Sequence, residues 1–291
     1  MKKLIKDVFQ HFLNNDTFQK GASLAYYSVF SLIPMIMIIS SVLGIFFGEK
    51  AVNGEIFEQL QNTLGEKASL QIQDFIKNQQ TSHNNILNAI IGFVTLALSA
   101  SGLFSQIHNS FNSIWSIKSK PKNSILNYIL LHFGSIIVLI SLFFIILVST
   151  ALGGILTSFI EHLPKYLRKI LIIEQLISPI VLVLVFAIMF KFLGDAIIKW
   201  KIAIYGGIFT AVFFMVGKIG IGFYLGHSNV TSAFGTASVL ALIMVWVYYI
   251  SQIIFLGASF IEILSIKLGY VIKPNKNAVK IEKIEITHIE E

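Results

Sequence analysis

Apolar residues run through this chain in long blocks. Six stretches satisfy the rule of about 20 predominantly apolar residues for a membrane-crossing helix: Leu24–Phe47, Ile86–Leu103, Tyr128–Leu152, Leu176–Phe192, Ile202–Leu225 and Val239–Ile263. The second and fourth are short, so their ends are expected to lean on neighbours or to continue helically beyond the hydrocarbon. The 291 residues are 55% hydrophobic and only 13% charged, whereas a soluble domain carries about 25% charged residues. Lipid must supply the missing polar coat. The predicted fold class is therefore all-α, a polytopic membrane protein with six transmembrane helices.

The flanks divide the chain into three parts. Over residues 1–20, Leu4, Ile5, Val8, Phe9, Phe12 and Leu13 recur at helical spacing, with Lys2, Lys3, Lys6, Asp7, Gln10 and Asn14 on the remaining surface. This predicts an N-terminal amphipathic helix in the interface, although the same stripe would serve equally for packing on the ends of the spans. Residues 21–265 form the six-helix domain. Its longest connection, Gly48–Asn85, carries two apolar stripes (Ile56, Leu60, Leu64 and Ile72, Phe75, Ile76) broken near Gly65, which predicts two short extracytoplasmic amphipathic helices capping the bundle or docking a partner. Residues 266–291 form a tail. Val279–Glu291 alternates Val/Ile with Lys/Glu, but an isolated strand has nothing here to pair with, so a mobile tail with strand-forming potential is expected.

Charge sets the orientation. With the N-terminus on one side, fifteen Lys and Arg residues fall on that side (Lys2, Lys3, Lys6, Lys20; Lys118, Lys120, Lys122; Lys191, Lys199, Lys201; Lys267, Lys273, Lys276, Lys280, Lys283) and six on the other. Both termini are therefore placed in the cytoplasm. The same loops account for the net charge of +7 without a polyanionic partner. The chain has no Cys, which removes disulfides and thiolate chemistry, and no cleavable signal peptide is visible.

Within hydrocarbon the polar and kinking residues carry the information. Lys218 lies inside the fifth span, in the run Val216-Gly217-Lys218-Ile219-Gly220-Ile221-Gly222. A charge near the centre of a span costs about 2.5–3.5 kcal/mol on insertion scales. Lys218 either snorkels to the outer interface or aims into a cavity that binds an anion or lipid phosphate. Gly217, Gly220 and Gly222, with Gly226, let a neighbouring backbone approach or leave a groove for substrate. Pro34 is expected to kink the first span, with Ser28 and Ser31 satisfying the freed backbone. At the inner end of the second span Ser105, Asn109 and Asn112 share one helical face toward other helices or a vestibule, while Ile107, Phe111, Ile114 and Trp115 share another. Trp115 reads as an interfacial anchor before Lys118 and Lys120.

Several chemistries lack their residues. The four aspartates (Asp7, Asp16, Asp74, Asp195) stand in different flanks and the histidines are isolated in sequence, so no metal-nuclease cluster is predicted. No phosphate loop and no basic-aromatic platform for nucleic acid occurs. The expectation is a protein that is not an enzyme, with no cofactor, no metal and no nucleic-acid partner.

Three groups of residues, taken in order, resemble the YihY/BrkB family of bacterial inner-membrane proteins: Ala25-Tyr26-Tyr27-Ser28-Val29-Phe30-Ser31-Leu32-Ile33-Pro34; Ser101-Gly102…Asn112…Trp115; and Tyr224…Phe234-Gly235-Thr236…Val245-Trp246-Val247-Tyr248…Gly257-Ala258. The resemblance covers about residues 10 to 265 and implies the bacterial inner membrane and the six-span plan. Family members often show Tyr-Gly where this chain has Phe234-Gly235, which loses a phenolic hydroxyl. The resemblance would also transfer the name ribonuclease BN, which no residue pattern above supports, and an association with serum resistance and the export of lipid or lipopolysaccharide precursors. It brings no catalytic residue set. Three functions follow as expectations: transport or hand-over of an amphiphilic anion such as a lipid, with membrane lipids as partners; a non-transporting scaffold for an envelope partner held through Gly48–Asn85; and a membrane ribonuclease.

Overall fold

The computed structural model describes residues 2–30, 70, 102–120, 171–227 and 238–282. Ser31, Pro34 and nearly all of Gly48–Asn85 lie outside them, as do the span Tyr128–Leu152, most of Ile86–Leu103, and the first span beyond residue 30. In chain order the described elements are α1 (Lys2–Leu13), α2 (17–30), α3 (102–114), β1 (Ile117–Ser119), α4 (Leu171–Phe192), β2 (Ala196–Ile197), α5 (Trp200–His227), α6 (Ser238–Lys267), β3 (Lys273–Pro274) and β4 (Ala278–Lys280). Within α5 and α6, Trp200–Lys218 and Ile243–Lys267 are long and apolar enough to cross a membrane. Pro179 sits inside α4, and the described stretch Pro179–Phe192 of that helix is apolar.

The amphipathic helix expected over 1–20 is two helices. Asn14, Asn15 and Asp16 interrupt it: Asn15 Nδ2 donates to the His11 carbonyl at 2.7 Å, and Asp16 takes a left-handed backbone, φ 51°. Asn and Asp compete for backbone groups in this way and end helices. Thr17 then donates to the Phe12 carbonyl at 2.9 Å as α2 begins. At the other end of the chain α6 stops at Gly269, φ +70°, where Tyr270 N reaches back to the Ser265 carbonyl at 2.8 Å, the bond of a Schellman cap.

The chain divides into two compact units. The first holds Met1–Thr17, Ile107–Val212 and Ile254–Glu291. Its core is aromatic: Phe111 lies 5.0 Å from Trp115, 5.5 Å from Phe190 and 6.5 Å from Phe255, ring centre to ring centre, and all four are fully buried. Glycine lets the helices close around them. A Cβ on Gly207 would stand 2.5 Å from the Val183 carbonyl oxygen, so α4 and α5 touch backbone to side there, and a Cβ on Gly206 would meet Ile261 of α6 at 2.3 Å.

The tail does not hang free. β4 pairs antiparallel with β1, Lys118 opposite Val279, and β3 pairs antiparallel with β2, Ala196 opposite Pro274. The expectation of a mobile, unpaired tail is thereby corrected as far as residue 282. The partners it lacked in the sequence reading are the two short connections that follow α3 and α4.

The second unit holds Phe18–Gln106 and Phe213–Ile253. Here α2 approaches α6 at Gly21, whose added Cβ would meet Gln252 and Ser251, and Tyr27 lies over Gly102. Ser28 is buried and donates to the Leu24 carbonyl at 2.8 Å.

Candidate functional site

The first unit gathers polar side chains around Asp195, in the α4–α5 connection. Gly194 makes the position possible, because a Cβ there would meet the Trp115 ring at 2.7 Å. Asp195 is 2% exposed. Its Oδ2 accepts from Asn112 Nδ2 at 2.9 Å and from the Ser119 hydroxyl, with His108 Nε2 at 3.4 Å. Oδ1 accepts from Asn275 Nδ2 at 2.9 Å. The backbone joins in: Asp195 N donates to Asn112 Oδ1 at 2.8 Å, and the Asp195 carbonyl accepts from Asn275 N at 2.7 Å. One acid thus ties together α3, β1, the α4–α5 connection and the tail.

Burial alone would push the Asp195 carboxyl up. Hydrogen bonds from His108, Ser119 and Asn275 and the neighbouring imidazole outweigh it, holding the group well below the usual carboxylate range. His108 and Asn112 are one turn apart on α3, with Asn112 Nδ2 3.4 Å from His108 Nδ1. Ser119 and His108 both face Asp195 Oδ2. The cluster can clamp a chain segment.

A second clamp lies on α6. Lys280 Nζ donates to the Trp115 carbonyl at 2.7 Å and to Glu262 Oε1 at 3.0 Å, while Trp115 Nε1 donates to the Ala258 carbonyl at 3.1 Å. Trp115 is therefore a core residue, and its reading as an interfacial anchor is corrected. Half-exposed Trp200 stands at the start of α5, with Phe192 against its ring at 5.8 Å and Lys191 Nζ 5.8 Å from its centre.

Asn112 is the one sequence-predicted residue in the Asp195 cluster. Ser105 on α3 is half-buried and Asn109 exposed, so the shared helical face divides into three environments. His108, Ser119, Asp195, Asn275, Glu262 and Lys280 were not singled out from the sequence. The pair His108/Asn112 at helical spacing was the available signal, together with an aspartate between two apolar blocks.

In the second unit, Lys218 is exposed on α5, on a stretch with exposed Met215 and Val216. Gly217 faces Tyr249 of α6: an added Cβ would collide with the phenol oxygen. Among the described residues, a Cβ on Gly220 would meet nothing within 4 Å. Gly222 continues the helical backbone of α5. The glycines thus split between packing, at Gly217, and open space, at Gly220.

Comparison with known proteins gives a family. The family model described as virulence factor BrkB matches residues 8–282. Among curated relatives, a UPF0761 membrane protein of Saccharophagus degradans is 23% identical over 276 residues, covering 91% of this chain and 60% of its own length. One from Stenotrophomonas maltophilia is 25% identical over 257 residues, covering 87% and 58%, and one from Teredinibacter turnerae is 26% identical over 267 residues, covering 89% and 60%. The chain spans about three fifths of the length of these relatives. No solved structure matches.

Proposed function

We propose, for a chain that belongs to the BrkB family of membrane proteins, that it spans the bacterial cytoplasmic membrane six times with both termini in the cytoplasm and moves or hands over an anionic amphiphile, most simply a phospholipid. The observation that carries this reading is the exposure of Lys218 on an apolar, membrane-length helix. Among the described residues no carboxylate is paired with it. An ammonium turned outward from such a helix meets either the headgroup zone or a passing headgroup, and the open space at Gly220, two residues on, leaves room for an acyl chain or an adjacent helix. The chain carries no phosphate loop, so the reading includes no ATPase of its own.

The test is translocation of fluorescent phospholipid in proteoliposomes. Wild-type protein is expected to exceed protein-free vesicles, and Lys218→Leu, folded and inserted, to fall toward them. Equal rates for wild type and Lys218→Leu, both above the empty vesicles, would remove Lys218 from the mechanism. Equal rates for all three would overturn lipid transport under these conditions.

A further inference from the structure

We infer that α1 lies flat on the bilayer surface and docks on anionic phospholipid headgroups. The argument begins with how the helix shares out its apolar residues. Val8 and Phe12 are buried, at 4% and 5% exposure, while Ile5, Phe9 and Leu13 are 66%, 54% and 46% exposed. At about 100° per residue, Val8 and Phe12 face one way, Ile5, Phe9 and Leu13 form a neighbouring stripe, and exposed Lys6, Gln10 and Lys3 follow next around the helix. The order is protein, apolar surface, positive charge. A helix that only packed on the bundle would have no use for the second sector, and one that faced water alone would not carry three large apolar side chains along it.

A second element extends the same surface. Lys267, at the end of α6, lies 3.9 Å from Asp7 of α1, and its sequence neighbours Ile266 and Leu268 are 58% and 46% exposed. That contact also offsets the one acid of α1, so the charge that α1 presents outward is that of its lysines. A cationic flank beside exposed apolar side chains fits the headgroup and upper acyl region of an anionic leaflet, with the two kinds of contact adding. The commitment is to lipid rather than to a second copy of the chain, because the exposed apolar stripe is bordered by like charges that would face one another across a symmetric pairing.

The chain contains no Cys, so single cysteines report without background. Ile5→Cys, Phe9→Cys and Leu13→Cys, each carrying an environment-sensitive fluorophore, are to be reconstituted as full-length protein in mixed phosphatidylglycerol and phosphatidylcholine vesicles, with Lys3→Cys as the flank control. The three stripe positions are expected to emit blue-shifted light, to resist aqueous iodide and to be quenched by spin-labelled acyl chains, while the Lys3 position is quenched by iodide. Spin-labelled phosphatidylglycerol is expected to quench the stripe at least twofold more than equally labelled phosphatidylcholine. Lys3→Gln with Lys6→Gln should remove that preference.

Iodide quenching of the stripe equal to that of the Lys3 position would overturn the inference. So would protection without lipid quenching, together with energy transfer between copies, which is the signature of a chain-to-chain contact. Equal quenching by the two spin-labelled lipids would overturn the choice of anionic headgroups. The readout is depth rather than transport, so failure of lipid movement leaves this inference standing, and its own failure leaves the transport reading standing.

Discussion

Replacing Asp195 by asparagine keeps the shape of the side chain and turns one acceptor oxygen into a donor. With Oδ1 retained toward Asn275, the new amide nitrogen faces Asn112 Nδ2, Ser119 Oγ and His108 Nε2. Ser119 can rotate to accept; the Asn112 amide loses a charged acceptor. A hydrogen bond to a charged group contributes about 1.5–3 kcal/mol, and one such bond is lost. If the α4–α5 connection opens away from α3 and carries the tail paired to it along, the open population should rise by about tenfold or more, at about 1.4 kcal/mol per tenfold. Ile272, buried just before β3, is the reporter. In the cysteine-free chain, Ile272→Cys should react with a maleimide about tenfold or more faster in the Asp195→Asn background, and about tenfold faster with Asn275→Ala, which removes the side-chain bond from the tail to Asp195. A rate within threefold of the parent in both backgrounds would refute the claim that Asp195 holds the tail.

Acid should act on the same lock. The Asp195 carboxyl is held below its ordinary value in the folded protein, so its stabilising contribution is fully present above the unfolded value of about 3.9 and is lost as pH falls through the folded one; the protection of the Asn275 amide, taken relative to the intrinsic exchange rate at each pH, should therefore keep the Asp195 contribution from pH 8 to 5 and lose it only in stronger acid. The strand register predicts that Lys118→Cys with Val279→Cys forms an intramolecular disulfide on mild oxidation, whereas Lys118→Cys with Lys276→Cys does not; both are read by a mobility shift. Gly207→Ala should lower stability by about 1–3 kcal/mol in a detergent melt, because its Cβ meets a backbone carbonyl. Gly220→Ala, in open space, should instead be neutral or up to about 1 kcal/mol stabilising from helix propensity.

The long helices were legible because apolar blocks of membrane length have few other uses: the expected Ile202–Leu225 and Val239–Ile263 stand inside α5 and α6. The break at Asn14-Asn15-Asp16 was also written in the chain, as three residues that favour turns, but the apolar stripe through Leu13 drew the boundary too late. The Asp195 cluster was not legible. Its members come from positions 108 to 275, and what brings them together is strand pairing by segments of two and three residues, too short for alternation to stand out. Trp115 was misplaced for a related reason. Lysines follow it in sequence, as they would at a membrane surface, yet the chain turns at Ser116, φ 51°, and carries them away from a ring that stays in the core.

The lock at Asp195 also has a direction in time. A ribosome makes the aspartate 80 residues before Asn275, an interval of about 4–16 s at ordinary elongation rates. Through that interval the acid has Asn112, Ser119 and His108 behind it in the chain but not the last strap that closes over it. The α4–α5 connection is therefore left ajar until residue 275 has been made, and a product stopped before residue 273 presents an unsatisfied carboxylate oxygen and the unpaired edges of β1 and β2. Such a surface is what quality-control proteases and chaperones distinguish from a finished protein. The closing of this strap thus doubles as a mark that the chain has been made through residue 275.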